Sequence, residues 1–372
     1  MTTFPNHPLW DDAPWTTLPA LAGAVSTDVC VVGLGGSGLA CIDELRVRNV
    51  DVIGIDATDV GAGAAGRNGG FILAGIADFH HDAVQTLGRA RAATLYRATL
   101  DEIDRMLVDT PDAIARIGSL RLAGDPAERA DCVAQLTALR ADGFPGEWYA
   151  GPEGEGLLIP SDGSMQPLAR VRAMATRVLA SGAQLFIDTA AIGFSAGVVH
   201  TTRGEIRCGA IIVAVDGALE RVLPDVTGRV RTARLQMLAT APARDVTIPR
   251  PVYARYGFDY WQQRPDGVVA LGGGRDHFEQ EEWVDSDLPT SPVQRYLDEV
   301  LRDVIGTRAP VTHRWAARVA YTPSGAPLID EVRPGLWAIG GYCGTGNVVG
   351  ALCGRAVARA VTGDQTLLTM LR

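Results

Sequence analysis

Three glycine-rich stretches and one acid carry the first chemistry in this chain. Gly33-Leu-Gly35-Gly36-Ser37-Gly38 follows Asp28–Val32, an apolar run of strand length. It precedes Leu39–Val47, whose apolar residues recur at helical spacing. A second apolar run, Val50–Asp56, ends eighteen residues past Gly38. In such a frame Gly33 permits a tight turn, Gly35 lets backbone approach a pyrophosphate, and Gly38 lets helix and strand pack closely. Gly36 and Ser37 open the helix, whose first N–H groups and partial positive charge suit phosphates. Asp56, at the end of the second strand, is placed to accept hydrogen bonds from a ribose. A plain turn and a surface acid are the bland alternatives. The strand–turn–helix–strand unit of about thirty residues favours dinucleotide binding.

The second stretch, GAGAAGRNGG at residues 61–70, comes directly after that unit. Its small residues would let backbone lie against a ligand, with Arg67 and Asn68 as its polar side chains; composition alone would equally allow a linker. The third, GGYCGTGNVVG at 340–350, lies between a strand at Leu336–Ile339 and a helix running to about Val361. The first unit alone leaves the dinucleotide open, since nicotinamide enzymes share it.

Several classes are excluded by composition. At 372 residues the chain implies two domains or one with a large insertion. A net charge of −9 without a basic run argues against a nucleic-acid partner. The 34 cationic residues are all arginine. Without lysine there is no Walker A loop and no lysine Schiff base. The six cysteines form no CxxC pair, so buried thiols in a reducing compartment are expected, with no metal site. No apolar stretch reaches spanning length, and MTTFPNHPLWDD lacks a secretion signal, so a cytoplasmic, membrane-free protein is expected.

Along the rest of the chain, His81 to about Arg140 is expected to be helical, with interruptions at Thr110-Pro111 and Gly118. Leu168–Ser181 predicts an amphipathic helix stopped by Gly182. Short strands are expected at Gln184–Asp188, Val198–Thr202 and Ala210–Val215, a strand-rich segment over Arg229–Gly274, and a helix over Pro292–Val304. Nucleotide-domain units at the start, middle and end imply two interleaved domains.

These residues carry a family resemblance. GLGGSG, Asp56 and GAGAAGRNGG resemble the amino-terminal FAD signature of the D-amino acid oxidase-like flavoproteins, a group that includes glycine, sarcosine and gamma-glutamylputrescine oxidases. Met165-Gln-Pro167, Thr189-Ala-Ala191, Ile211–Gly217, Arg264-Pro-Asp-Gly267 and the terminal GGYCGTGN agree in order, so the resemblance covers nearly the whole chain. It implies an α/β plus α+β fold, with an FAD-binding Rossmann-like domain (1–80, 160–225, 325–372) interleaved with an antiparallel-sheet substrate domain (81–159, 226–324). It implies FAD with its adenine end near Gly33–Gly38, Asp56 and Ala57, and with Ala191 and Gly217 contributing. Arg67, Asn68, Gly69 and Gly70, and Gly344, Thr345, Gly346 and Asn347 at the start of the last helix, would reach the flavin. A helix N-terminus there would stabilise negative charge on reduced flavin.

The stretch Arg318–Thr322 has no cysteine where some relatives attach FAD, so non-covalent FAD is expected. The family's oxygen-activating lysine, on a strand matching Gly267–Gly272, is missing too. The implied chemistry is oxidation of an amine or amino acid by hydride transfer to flavin N5, with oxygen as acceptor and hydrogen peroxide as product. Candidate substrate-side residues are Tyr260 and Arg264 on one strand face, His277 as a possible cation, Arg318 as a carboxylate fork, and Tyr342 before the terminal turn. Packing is the competing reading for each, and Arg318 falls one residue early, which on a strand reverses its face. A nicotinamide-linked dehydrogenase and a flavin-binding protein without turnover stand as alternatives.

Overall fold

The computed structural model describes residues 6–372; Met1–Pro5, part of the leader considered above, lie outside the described residues. The chain divides into two compact units, each assembled from three segments. Among the described residues, one comprises 13–66, 168–233 and 318–372; the other comprises 6–12, 67–167 and 234–317. Arg67–His80 groups with the second unit.

The first unit is built on a six-stranded sheet. Its elements are β1 (Val29–Val32), α1 (Gly36–Val47), β2 (Val52–Ile55), α2 (Pro167–Ala180), β3 (Gln184–Phe186), β4 (Ala210–Val213), β5 (Leu328–Arg333), β6 (Leu336–Gly340) and α3 (Val349–Val361). The strand order is β3-β2-β1-β4-β6-β5. All neighbours are parallel except the antiparallel edge pair β5–β6. The strands are buried on both faces, which is why they read as unbroken apolar runs. Val29, Val31 and Val52 face the core made with α1, α2 and α3, while Cys30, Val32, Ile53 and Ile55 face a second core shared with a four-stranded sheet at Gly23–Ser26 and 191–207. Helix α1 stops at Asn49, whose φ of +59° and the Val50 N–H to Leu45 bond make a left-handed C-terminal cap.

The second unit holds an eight-stranded sheet in the order Val311–Tyr321, Arg231–Pro242, Val268–Gly273, Asp259–Gln263, Val252–Ala254, Ser119–Leu122, Gly154–Ile159, Glu147–Gly151. Val252–Ala254 joins Ser119–Leu122 in parallel; the pairings on either side of that join are antiparallel. Helix Ser291–Glu299 packs Val293 and Leu297 on Leu238, Val252 and Leu271. Helices Arg89–Asp109 and Pro126–Ala141 bury Tyr96, Leu136 and Leu139 against Leu157 and Ile159.

Two expectations are corrected. The stretch read as helical from His81 to Arg140 contains strands at Ile114–Ala115 and Ser119–Leu122 between its helices. Ser119–Leu122 is drawn into the sheet by partners more than thirty residues away in sequence, a tertiary influence on a short apolar segment. Helix α3 begins at Val349, so Gly344–Asn347 form turns ahead of it rather than its first residues. The Val349 N–H donates to Thr345 O (3.1 Å), which carries that turn into the helix.

Candidate functional site

In the first unit, the turn from β1 into α1 is shaped by close contacts. Gly33 has φ +108°, and a Cβ there would lie 2.7 Å from the Ala214 carbonyl. A Cβ on Gly38 would collide with the Gly33 carbonyl. The expected tasks of Gly33 and Gly38, turning and close packing, are thus visible in the backbone. Gly35 caps α1 without any side-chain hydrogen bond, so the first amides of the helix are left to a ligand or solvent. Gly35 faces Ala65, where a Cβ would come to 3.3 Å of the Ala65 methyl, and Gly36 faces Arg170. Ser37 is buried, and its carbonyl is crossed closely by Gly354 of α3.

Asp56 follows β2. Its Oδ2 accepts from Leu34 N–H (2.9 Å), and its Oδ1 accepts from the Thr58 N–H (3.0 Å) and hydroxyl (3.2 Å). Burial raises the carboxyl pKa, and these donors partly offset it. A carboxylate offers about four acceptor positions, so Oδ2 keeps one for a further donor such as a ribose hydroxyl. Ala57 beside it is exposed. The Thr189 N–H donates to Asp56 O (2.8 Å), which brings the start of the strand Ala191–Ser195 to the same end of the sheet. The cradle therefore suits an adenosine diphosphate moiety: it has free helix amides, glycines that admit backbone contact, and an open acceptor.

In the loop after β4, Asp216 is the organising residue beside Gly217. The Asp216 carboxylate accepts from the N–H groups of Ala320 (3.1 Å), Gly341 (2.9 Å) and Tyr342 (3.3 Å). Desolvation pushes its pKa up to about 6. Gly217 is needed because a Cβ there would collide with the backbone of Arg318. Arg318 itself is half-buried. The terminal stretch that Asp216 anchors holds Cys343 at φ +52°, with Sγ accepting from Thr322 N–H. The Thr345 hydroxyl donates to Tyr342 O (2.7 Å). Gly346 packs on the Tyr342 ring, and Asn347 completes the turn. Tyr342, expected as a ligand-facing group, is instead a core residue only 4% exposed, because its ring fills the space left by Gly346 and Gly350.

In the second unit, the loop Arg67–Gly70 is held by its carbonyls. The indole N–H of Trp315 donates to Arg67 O (2.7 Å), and that of Trp10 donates to Asn68 O (2.8 Å). The Gln262 amide donates to the carbonyls of Gly69 and Gly70, and the Met165 N–H also donates to Gly70 O (2.8 Å). Arg67 donates to Ala316 O (2.9 Å) and pairs with Asn6; Asn68 Oδ1 accepts from Gly70 N–H (2.8 Å). Gly69 and Gly272 both lie against the ring of Tyr260, where Cβ atoms would approach to 2.9 and 2.5 Å. Phe71 meets that ring edge-on.

Tyr260 and the Arg67–Gly70 loop are therefore brought together. Arg264 is not with them: it pairs with Asp12 (2.7 Å) and Asp266 (3.0 Å) at a turn. His277 is exposed on a short turn, 4.8 Å from the ring of Tyr296. Their strand and turn positions serve surface ion pairing and packing. The residues missed from sequence are Trp10, Trp315 and Asp216, together with the part that Gln262 plays in holding the loop. Their partners are distant in the chain, and only Asp216, an acid directly before a glycine at a strand end, had a local signal.

Among the described residues, His81, Asp82 and Asp131 have metal-like spacing, but Asp131 already pairs with Arg121. Among the described residues no cysteine forms a disulfide, and four of the six are buried. Among the described residues no helix is long and apolar enough to cross a membrane.

Comparison with known proteins agrees with this geometry. Residues 28–360 match the family described as DAO, FAD dependent oxidoreductase. The chain is 25% identical over 400 residues to a probable oxidoreductase OrdL of Rhizobium meliloti, covering 100% of this chain and 89% of the relative. It is 24% identical over 393 residues to the gamma-glutamylputrescine oxidoreductase of Escherichia coli, covering 95% and 87%. In fold it resembles L-proline dehydrogenase from P. horikoshii (TM-score 0.77, 20% identity, 94% and 96% covered). It also resembles glycine oxidase from Geobacillus kaustophilus (TM-score 0.74, 21% identity, 92% and 96% covered). A glycine cradle at a helix N-terminus with an acid on the second strand, inside a match that spans most of the chain, identifies this protein as a member of the DAO family of FAD-dependent oxidoreductases.

Proposed function

We propose that the protein oxidises the C–N bond of an amine or amino acid to an imine, and that oxygen then accepts the electrons to give hydrogen peroxide. The observation that carries this reading is the β1–α1 cradle with Asp56, set in a chain of this family. FAD, when bound, supplies the hydride acceptor. Everything else falls to the chain: holding the cofactor, and orienting a neutral amine so that its α-hydrogen is in reach.

The first unit is assigned to FAD. Gly33–Gly38 present helix amides to the diphosphate, and Asp56 takes a ribose hydroxyl. Ala57, Ala191 and Gly217 contribute by close backbone approach. The Gly344–Asn347 turns supply backbone donors for the flavin's electron-rich edge. FAD is held non-covalently, since Arg318–Thr322 contains no cysteine. The second unit is assigned to substrate, with Tyr260 as its best-placed side chain. The named activities of the relatives, on gamma-glutamylputrescine, glycine and proline, motivate the substrate class.

The test is anaerobic mixing of the holoprotein with primary, secondary and gamma-glutamyl amines and amino acids, followed by air. Bleaching of the band near about 450 nm by one class, with peroxide released on reoxidation, is the expected result. Bleaching that oxygen does not reverse would replace the oxidase with a dehydrogenase using another acceptor. The absence of lysine keeps that outcome chemically reasonable.

A further inference from the structure

The strands Ala191–Ser195, Val198–Thr201 and Gly204–Arg207 lie side by side in the four-stranded sheet of the first unit. Side-chain alternation turns Val199 and Ile206, both fully buried, into the core beneath this sheet. Their neighbours His200 and Glu205 therefore stand on the outer face, where they are direct cross-strand partners. Ser195 is exposed at the end of the adjoining strand. The three side chains form one run of hydrogen bonds. Ser195 Oγ is 2.9 Å from His200 Nε2, and His200 Nδ1 is 3.1 Å from Glu205 Oε1. An ionised carboxylate only accepts, so Glu205 fixes the hydrogen of the neutral ring on Nδ1. Nε2 is then the acceptor, and the Ser195 hydroxyl donates to it. Gly193, opposite His200 in register, places no side chain against the ring, which stays 40% exposed.

We propose that Ser195, His200 and Glu205 form a second reactive site, one that takes acyl groups from activated esters and hydrolyses them. Nucleophile, base and orienting acid stand in the hydrogen-bonded order that general-base activation of a hydroxyl requires. Ser195 Oγ attacks the ester carbonyl carbon while its proton passes to His200 Nε2. The bond from that carbon to the leaving oxygen breaks, and the departing alkoxide takes the proton. Water then attacks the acyl carbon, with His200 accepting its proton and returning it to Oγ as the carboxylic acid leaves. Ser195 and His200 are the catalytic residues; Glu205 is a positioning residue that acts through the ring. The face is open to water, so charge developing in the transition state gains little from a low dielectric. That restricts the substrates to small esters with good leaving groups, such as aryl esters. None of the three residues is assigned to FAD, and no electrons are exchanged.

The experiment treats the purified full chain with a fluorophosphonate and, separately, with p-nitrophenyl acetate. In the first reaction Oγ bonds to phosphorus, fluoride leaves, and the hydroxyl proton passes through His200 to solvent. Peptide mass mapping should find one phosphonyl group, on Ser195. Nitrophenolate release should be slower by about 10- to 100-fold in Ser195→Ala and in His200→Ala. Imidazole added to His200→Ala should restore labelling of Ser195, which a merely structural histidine would not show. Glu205→Ala should slow labelling about 10-fold with His200 present and cause no further loss in the His200→Ala background. Unchanged far-ultraviolet circular dichroism reports that each variant is folded. A label absent from Ser195, wild-type hydrolysis by Ser195→Ala, or His200→Ala labelled at the wild-type rate would overturn the site. A Glu205→Ala loss of equal size in both backgrounds would overturn the role given to Glu205.

Discussion

Asp162 offers a test in which the structure sets the size of the effect. Its carboxylate is 1% exposed and accepts from the Ser119 hydroxyl (2.6 Å) and the Ala74 N–H (2.8 Å). Burial pushes its pKa up to about 7 from 3.8, against the pull of those two donors and of the Arg116 charge. A raised folded-state pKa means that the stabilising contribution is complete below pH about 4 and is lost as pH rises through about 7. At about 1.4 kcal/mol per pKa unit, the full penalty for ionising this group in place is about 4 kcal/mol. About 2–3 kcal/mol of it accrues between pH 5 and pH 8. Asp162→Asn keeps the geometry: Oδ1 can accept from Ala74, and Nδ2 can donate to Ser119 Oγ, whose hydroxyl turns to suit. Urea unfolding of both proteins at pH 5, 6, 7 and 8 is the assay. The variant should match wild type near pH 5 and exceed it by about 2 kcal/mol at pH 8. A difference between the two proteins that stays constant across that range would refute the reasoning.

Three further outcomes follow from the same geometry. Gly38→Ala places a methyl into the Gly33 carbonyl, so FAD retention on desalting should be lost while Gly63→Ala, with open space around it, retains it. Gly272→Ala intrudes on the Tyr260 ring and should cost about 1–3 kcal/mol by thermal unfolding; in a double-mutant cycle Tyr260→Ala should relieve most of that cost. Asp216→Ala leaves the amides of Ala320, Gly341 and Tyr342 without their acceptor. It should cost about 3 kcal/mol or more in urea unfolding, since each unmet buried amide costs about 1–3 kcal/mol.

Some of this was legible in the chain. The unit from Val29 to Asp56 is local: strand, glycine turn, helix and acid follow one another within a single crossover, and each leaves a pattern over a few residues. Helix α2 and the strands β3, β4 and β6 were visible for the same reason. The eight-stranded sheet was visible only in part, because Ser119–Leu122 owes its conformation to Val252–Ala254 and Gly154–Ile159 rather than to its own four residues. The Arg67–Gly70 loop shows a second limit. Its glycines were evident, but the groups that hold it come from Trp10, Gln262 and Trp315, separated from it by 58, 193 and 248 residues. No spacing rule reaches that far. Tyr342 shows the reverse error: an aromatic beside a glycine turn suggested a ligand contact, and the two glycines that made the turn also made room for its ring in the core.

The most direct test of the central claim is the absorbance spectrum of the purified protein before and after acid precipitation, followed by anaerobic addition of an amine panel to the native sample. The account predicts bands near about 375 and 450 nm, release of intact FAD into the supernatant in a ratio of about one per chain, and bleaching of the native sample by an amine or amino acid. A colourless protein that cannot be reconstituted with FAD would contradict it.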